Sequence, residues 1–269
     1  MKISELKKEA KVKLIGKWPL AIGINLTYLI LTIALSYVST KIDGIVGSTL
    51  ALIFAIITIP LSFGITASML NLSRNETVGV TDFITIGFKN FKKAIFLSLS
   101  IFFRIIIPVI ILAFSAALSI ISGFANAVGS SVASSGITSI VSLLLAVASM
   151  LWIIYKVLSY ALSTYVLIDN DEMKSGEAIA KSCELMKGNK LKFVGLVFSF
   201  IGWFFLCGFL AGMTEIVNVT LGTIVMYGLS LLLTPYITFA EINFYEDLAG
   251  VSEAKVEVSE EPSEQPSAE

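Results

Sequence analysis

Apolar residues gather into six long segments along the chain, with short polar stretches between them. The segments cover residues 19–40, 45–70, 94–121, 137–168, 194–217 and 219–240. At about 1.5 Å per residue, each is long enough for a helix to cross a hydrocarbon layer about 30 Å thick. Lipid offers no hydrogen-bond partners to exposed backbone groups, so each crossing must be helical. The pattern therefore predicts an all-α, polytopic membrane protein with six transmembrane helices.

Composition supports this prediction and excludes several kinds of catalytic and metal site. Hydrophobic residues make up 56% of the chain and charged residues 14%, whereas soluble domains have about 25% charged residues. The chain has no histidine, which excludes histidine triads and HExxH zinc sites. Cys183 and Cys207 have neither CxxC spacing nor a disulfide framework. We expect no enzymatic activity, no metal and no cofactor, and the absence of a basic domain argues against nucleic acid as a partner.

The distribution of Lys and Arg predicts the orientation, because cytoplasmic loops carry an excess of these residues. Sixteen of the nineteen fall on one side of the predicted helices, whereas Lys41 alone falls on the other. Both termini are therefore expected in the cytoplasm. The predicted outer loop, residues 122–136, has no charged residue, as suits a translocated segment.

The chain divides into three parts by composition. Residues 1–18 form an amphipathic, basic cytoplasmic segment, and residues 19–240 form the six-helix domain. The first apolar segment exceeds the roughly 7–15 residues of a signal-peptide core, so we expect it to be retained. Residues 241–269 are predicted to be an acidic, disordered cytoplasmic tail, since acids, serines and prolines dominate there without apolar periodicity.

Two cytoplasmic loops are predicted to be amphipathic hairpins. In the loop between the fourth and fifth segments, Glu177 precedes Lys181 by four residues, as in a helical ion pair, and Gly188 is placed to end the helix. The residues of interest in this loop are Glu177, Lys181, Met186, Lys187, Gly188 and Lys190. The loop at residues 81–93 repeats the plan, with Phe83 and Phe88 on its apolar face. Either a true internal duplication or the general character of basic membrane loops would explain the similarity.

Charged residues within the predicted helices are the candidate intramembrane site, because charges are costly in lipid. Pro108 removes the amide that would bond to the carbonyl of Arg104, so a cation and a freed carbonyl coincide. Lys156 either anchors its helix at the interface or needs an acid, for which Glu241 lies at a compatible depth. Arg104 binds an anion, a lipid headgroup or a permeating solute in one interpretation, and snorkels or braces a kink in the other.

Four stretches of the chain resemble one known family. They are ISELKKEAKVKLIGKW (3–18), VTDFITIGFKNFKK (80–93), SYALSTYVLIDNDEMKSGEAIAKSCELMKGNKLKFVGLVFSFIGW (159–203) and TPYITFAEINFYEDL (234–248). They are similar to the bacterial membrane proteins of the domain of unknown function 975 family. An Ile-Pro-Gly element common in that family is missing from SMLWIIYKVLSYALS. The resemblance implies a multi-pass protein of the bacterial cell membrane and brings no substrate or catalytic residue with it.

Two functions are compatible with the sequence. The first is a non-enzymatic membrane component that organises or assists membrane lipids or protein partners on the cytoplasmic face, since the cytoplasmic segments are basic and amphipathic. The alternative is a small-molecule transporter or channel subunit, which requires Arg104, Lys156 and Glu241 to converge on a water-filled path.

Overall fold

The computed structural model describes residues 1–127 and 135–250, and within those ranges every regular element is an α-helix. In chain order the helices are α1 (Ile3–Leu14), α2 (Trp18–Thr40), α3 (Gly44–Ser73), α4 (Asp82–Lys89), α5 (Phe91–Ala127), α6 (Ser135–Tyr160), α7 (Ser163–Asp169), α8 (Ser175–Leu185), α9 (Lys190–Phe198), α10 (Ile201–Val217) and α11 (Val219–Ala249).

Six stretches of these helices are long and apolar enough to cross a membrane. They are Trp18–Thr40, Gly44–Ser73, Phe91–Phe124, Ile137–Asp169, Lys190–Val217 and Val219–Ala249. This confirms the prediction of an all-α protein with six membrane-crossing helices. The two amphipathic cytoplasmic hairpins, and their origin by duplication, stay predictions.

The helices form two compact units. The terminal unit contains Met1–Phe91 and the chain from Leu191 onward, and the central unit contains Lys92–Lys190. In the terminal unit α11 contacts α1, α2, α3 and α10. Apolar residues four apart place one face of α1 in this core, where Leu6, Ala10 and Leu14 are fully buried.

Helix α4 packs closely against α3 because glycines lie at the contact. A Cβ at Gly64 would collide with the carbonyl oxygen of Phe83, and a Cβ at Gly87 would collide with that of Pro60. Phe83 is fully buried, whereas Phe88 is about half exposed. The apolar face predicted for this loop is therefore divided between the core and the surface.

The central unit contains a break between α6 and α7. The predicted fourth crossing would be about 48 Å long as one straight helix, and it is interrupted between Tyr160 and Ser163. The hydroxyl of Ser182 in α8 accepts a hydrogen bond from the Leu162 amide (3.2 Å) and donates one to the Ser159 carbonyl (2.9 Å). Backbone groups released at the break are thus satisfied by a neighbouring helix.

The structure corrects the start of the acidic tail. Helix α11 continues to Ala249, so the predicted boundary at residue 241 lies inside it. Phe239, Ile242, Asn243 and Glu246 have the spacing of one helical face, and all four are buried. The packing of this buried face stabilises the helix beyond residue 240, although the segment is rich in acids. Residues 251–269 of the predicted tail and 128–134 of the predicted outer loop lie outside the described residues.

Candidate functional site

Arg104 lies on α5 in the central unit with an exposed side chain. Its Nη1 donates a hydrogen bond to the carbonyl of Ser100, one turn earlier on the same helix, at 3.1 Å. A Cβ added to Gly176 would lie 3.9 Å from Nη2, so the guanidinium reaches the first turn of α8. Pro108 is buried within α5. This geometry is that of an arginine whose head extends along its own helix.

The other two residues of the predicted intramembrane site are divided between the units. Lys156 is half-buried on α6 of the central unit, with Nζ 5.8 Å from the centroid of the Tyr160 ring. Glu241 is half-buried on α11 of the terminal unit. Convergence of Arg104, Lys156 and Glu241 on one path stays a prediction.

In the loop between the fourth and fifth crossings, Glu177 and Lys181 have different partners from those predicted. The Glu177 carboxylate accepts a hydrogen bond from the Lys174 amide at 3.1 Å, which caps α8. Lys181 forms its ion pair with Glu184, at 3.1 Å, instead of with Glu177. Amides at a helix start have no intrahelical acceptor, so the capping position satisfies an otherwise unpaired group.

The remaining loop residues surround the turn into α9. Met186 is fully buried, and Lys187 is exposed. Gly188 has φ +83° and lies beyond the end of α8 at Leu185, so it forms the turn and does not end the helix directly as predicted. The Nζ of Lys190 lies 3.1 Å from the centroid of the Tyr155 ring, a cation–π contact.

A buried ionic cluster that the sequence analysis missed joins α1, α3 and α11. The Glu246 side chain is 7% exposed, and its carboxylate lies 2.8 Å from Nζ of Lys13 and 3.0 Å from Nε of Arg74. Lys13 also donates to the Asn243 side-chain oxygen at 2.7 Å. The Asn243 amide donates to the carbonyl of Leu6 at 3.0 Å. These bonds hold α1 against the end of α11.

A second acid on α11 anchors the beginning of the chain. The Asp247 carboxylate lies 2.9 Å from the amino group of Met1 and 3.1 Å from Nζ of Lys192. Both acids were assigned to the tail from composition. The helical spacing of the apolar residues around them is the signal that places them on a packed helix.

The lysines of residues 1–17 fall into two groups, and the first group contacts protein. Lys7 donates to the Ser199 carbonyl at 3.0 Å, and Lys17 donates to the Leu72 carbonyl at 2.6 Å. Both carbonyls lie at helix ends, where a positive charge is favourable. Burial, and after it the charge of Lys11, lowers the pKa of Lys7. Together with Lys13, these lysines fix α1 in place.

The second group is exposed and lies beside apolar side chains that are also exposed. It consists of Lys2, Lys8 and Lys11. Lys8, Lys11, Val12 and Ile15 have i, i+3, i+4, i+7 spacing, which puts them on one helical face. Val12 and Ile15 are 58% and 73% exposed. A fixed helix with such a face has the character of an interfacial helix.

This face of α1 forms one wall of a cavity of about 600 Å³ in the terminal unit, and α10, α11 and Trp18 at the start of α2 form the rest of the lining. The lining includes Trp203 and Leu210 from α10, and Leu229 and Tyr236 from α11. Of the lining residues, all in the described chain, only Lys8 and Lys11 are charged. The cavity is thus an apolar space with two ammonium groups on one wall. Within the described residues, no group of three His, Cys, Asp or Glu side chains is arranged to hold a metal ion.

These features define a multi-pass helical membrane protein in which a basic helix is clamped beside an apolar cavity. The chain belongs to the family described as protein of unknown function (DUF975), whose model matches residues 1–252. The resemblance inferred from the sequence is confirmed. Comparison with curated proteins and with solved structures gives no match.

Proposed function

We propose that this protein is a non-enzymatic component of the bacterial cell membrane that organises anionic lipids at the cytoplasmic face, where both of its termini lie. The observation that carries the proposal is the division of the lysines in and beside α1 into two groups. Lys7, Lys13 and Lys17 donate hydrogen bonds to protein groups, whereas Lys2, Lys8 and Lys11 are exposed and accessible to lipid.

Electrostatics gives the exposed lysines their role. A Lys near an anionic leaflet contributes about 1 kcal/mol of attraction, so Lys2, Lys8 and Lys11 together contribute about 3 kcal/mol on that scale. Helix α1 is already folded and held by Glu246, so little ordering entropy opposes this attraction. A mobile basic segment would lose part of the same attraction in becoming ordered.

The proposal is tested by the lipids that surround the full-length protein. The protein is extracted with a polymer that retains native bilayer, and its phosphatidylglycerol and cardiolipin content is compared with that of the whole membrane. We expect enrichment of the anionic lipids, and we expect substitution of the three exposed α1 lysines by Gln to remove most of it.

A matched control changes three exposed lysines in the central unit. These are Lys174, Lys181 and Lys187. Their substitution by Gln removes the same charge and should cost much less of the enrichment. A lipid composition equal to that of the bulk membrane, or equal losses in the two triple variants, would contradict the proposal.

A further inference from the structure

The cavity between α1, α10 and α11 is elongated along the helices. Its lining extends from Trp203 to Leu210 on α10 and from Tyr236 to Leu229 on α11, about 10 Å along each helix. The Nζ of Lys11 lies 5.5 Å from the centroid of the Tyr236 ring. The lysines therefore lie at the end of the cavity that Tyr236 lines. The opposite end is lined by leucines.

The cavity is open at the protein surface. Trp203 and Leu210 are 49% and 40% exposed, although both line it. In a membrane such an opening on α10 faces acyl chains. Its volume of about 600 Å³ lies within the range of roughly 300–1,000 Å³ typical of small-molecule sites.

The ammonium groups of Lys8 and Lys11 differ from those of the other lysines nearby. In the described part of the chain, carboxylates pair with Lys13 and Lys192, and none pairs with Lys8 or Lys11. A neutral apolar occupant would leave these two charges unmatched, whereas an anionic headgroup would match them.

We infer that the cavity binds one acyl chain of an anionic phospholipid, with the phosphate against Lys8 and Lys11 and the chain between α10 and α11. The inference rests on the proposed function and specifies where the lipid is held. An acyl chain that enters the cavity leaves one hydrocarbon environment for another, so the hydrophobic effect supplies little selectivity. Selectivity must come from the headgroup, at about fivefold for each lysine on the scale of membrane electrostatics.

Tryptophan fluorescence gives a direct test, because Trp203 lines the cavity whereas Trp152 lies on α6 of the central unit. Two single-tryptophan proteins are made, one keeping Trp203 and the other keeping Trp152. Trp18, which also lines the cavity, is replaced by Phe in both. Each is reconstituted in phosphatidylcholine vesicles with a minor fraction of lipid brominated on its acyl chains. We expect brominated phosphatidylglycerol to quench Trp203 more strongly than brominated phosphatidylcholine does. Trp152, which is 43% exposed, should show no such preference.

Two variants then separate the headgroup contact from the cavity. Lys8→Gln with Lys11→Gln should weaken the phosphatidylglycerol preference at Trp203 by about fivefold per lysine. Leu210→Phe with Leu229→Phe keeps every charge and puts two larger rings into the cavity, which should reduce quenching by both brominated lipids. Lys2→Gln removes a charge from the residue just before α1, which is not part of the cavity lining, and should leave the preference unchanged.

The outcomes distinguish this inference from the proposed function. Equal preference at Trp203 and Trp152, or a preference at Trp203 that survives the Lys8 and Lys11 substitutions, would overturn the cavity site. The proposed function would still stand if substitution of all exposed α1 lysines removes anionic lipid from the polymer extract. If the lysine substitutions reduce neither the quenching preference at Trp203 nor the anionic lipid in the extract, both the cavity site and the proposed function are overturned.

Discussion

Glu246 provides the clearest test of how α1 is held in place. Its carboxylate receives bonds from Lys13 at 2.8 Å and from Arg74 at 3.0 Å. Glu246→Gln keeps the shape of the side chain and removes the charge that both cations face. We expect α1 to separate from α11 more often, because Lys13 and Arg74 lose the carboxylate that joins α1 to α11. Glu9, 3.1 Å from Lys13, belongs to α1 itself and does not replace that link.

The size of the effect follows from the burial of the partners. Removal of one member of a buried ion pair costs about 3–5 kcal/mol. The side chains of Lys13 and Arg74 are 23% and 19% exposed, so both recover some hydration, and Gln still offers one acceptor. We therefore expect docking of α1 to weaken by about 2–3 kcal/mol, which is about 30- to 150-fold in the undocking equilibrium.

Thiol labelling measures this equilibrium. Ala10 is fully buried on the docked face of α1, so Ala10→Cys reacts with a maleimide only when α1 is displaced. With Cys183 and Cys207 replaced by Ser, the labelling rate in mild detergent reports the displaced population. Glu246→Gln should raise that rate by about 30- to 150-fold.

Two controls decide the interpretation. Glu184→Gln removes a carboxylate of the same type from an exposed ion pair, which contributes about 0–1 kcal/mol and should leave the rate nearly unchanged. Ala178, fully buried on α8 of the central unit, is replaced by Cys in a protein without the Ala10 substitution, and its labelling reports unfolding away from α1. An unchanged Ala10→Cys rate in Glu246→Gln, or an equal rise at Ala178→Cys, would refute a local clamp.

Three further predictions concern orientation, the tail and Arg104. A membrane-impermeant maleimide should label the protein only after cells are opened, and Cys183→Ser should remove most of that labelling; strong labelling of intact cells would reverse the proposed orientation. Truncation after Gly250 should leave expression and detergent melting nearly unchanged, because α11 ends at Ala249, and a large loss would mean that the tail docks on the basic loops. Arg104→Gln should leave solute movement in proteoliposomes proportional to the folded amount, since the guanidinium bonds to its own helix; a selective change in flux would favour the transporter hypothesis.

The membrane-crossing helices could be predicted because their signal is local. An apolar segment needs only its own length and composition to identify it, and the first prediction, residues 19–40, differs from Trp18–Thr40 by one residue at its start. The break near Leu162 was predictable only in part. Excess length required the fourth crossing to tilt, break or protrude, but the Ser182 hydroxyl that stabilises the break belongs to another helix.

The Glu246 cluster was missed for two different reasons. Its position on a helix could have been predicted, because Phe239, Ile242 and Asn243 precede it at helical spacing. The prediction relied on the number of acidic residues after position 240 and did not consider that spacing. Its pairing with Lys13 could not have been predicted, since the residues are 233 positions apart and charge patterns carry no information about contacts at such separation.

The lysines near the beginning of the chain show that the number of charges in a segment does not reveal what each charge contacts. The orientation rule counts all of them equally, because each opposes transfer across the membrane. In the folded protein the ammonium groups of Lys7 and Lys17 bind backbone carbonyls, and that of Lys13 binds Glu246. In the function that we propose, the exposed Lys2, Lys8 and Lys11 act on lipid, whereas the half-buried lysines hold α1 in place. The exposure of each side chain, and not the residue type, therefore decides whether a lysine serves packing or the lipid contact that we propose.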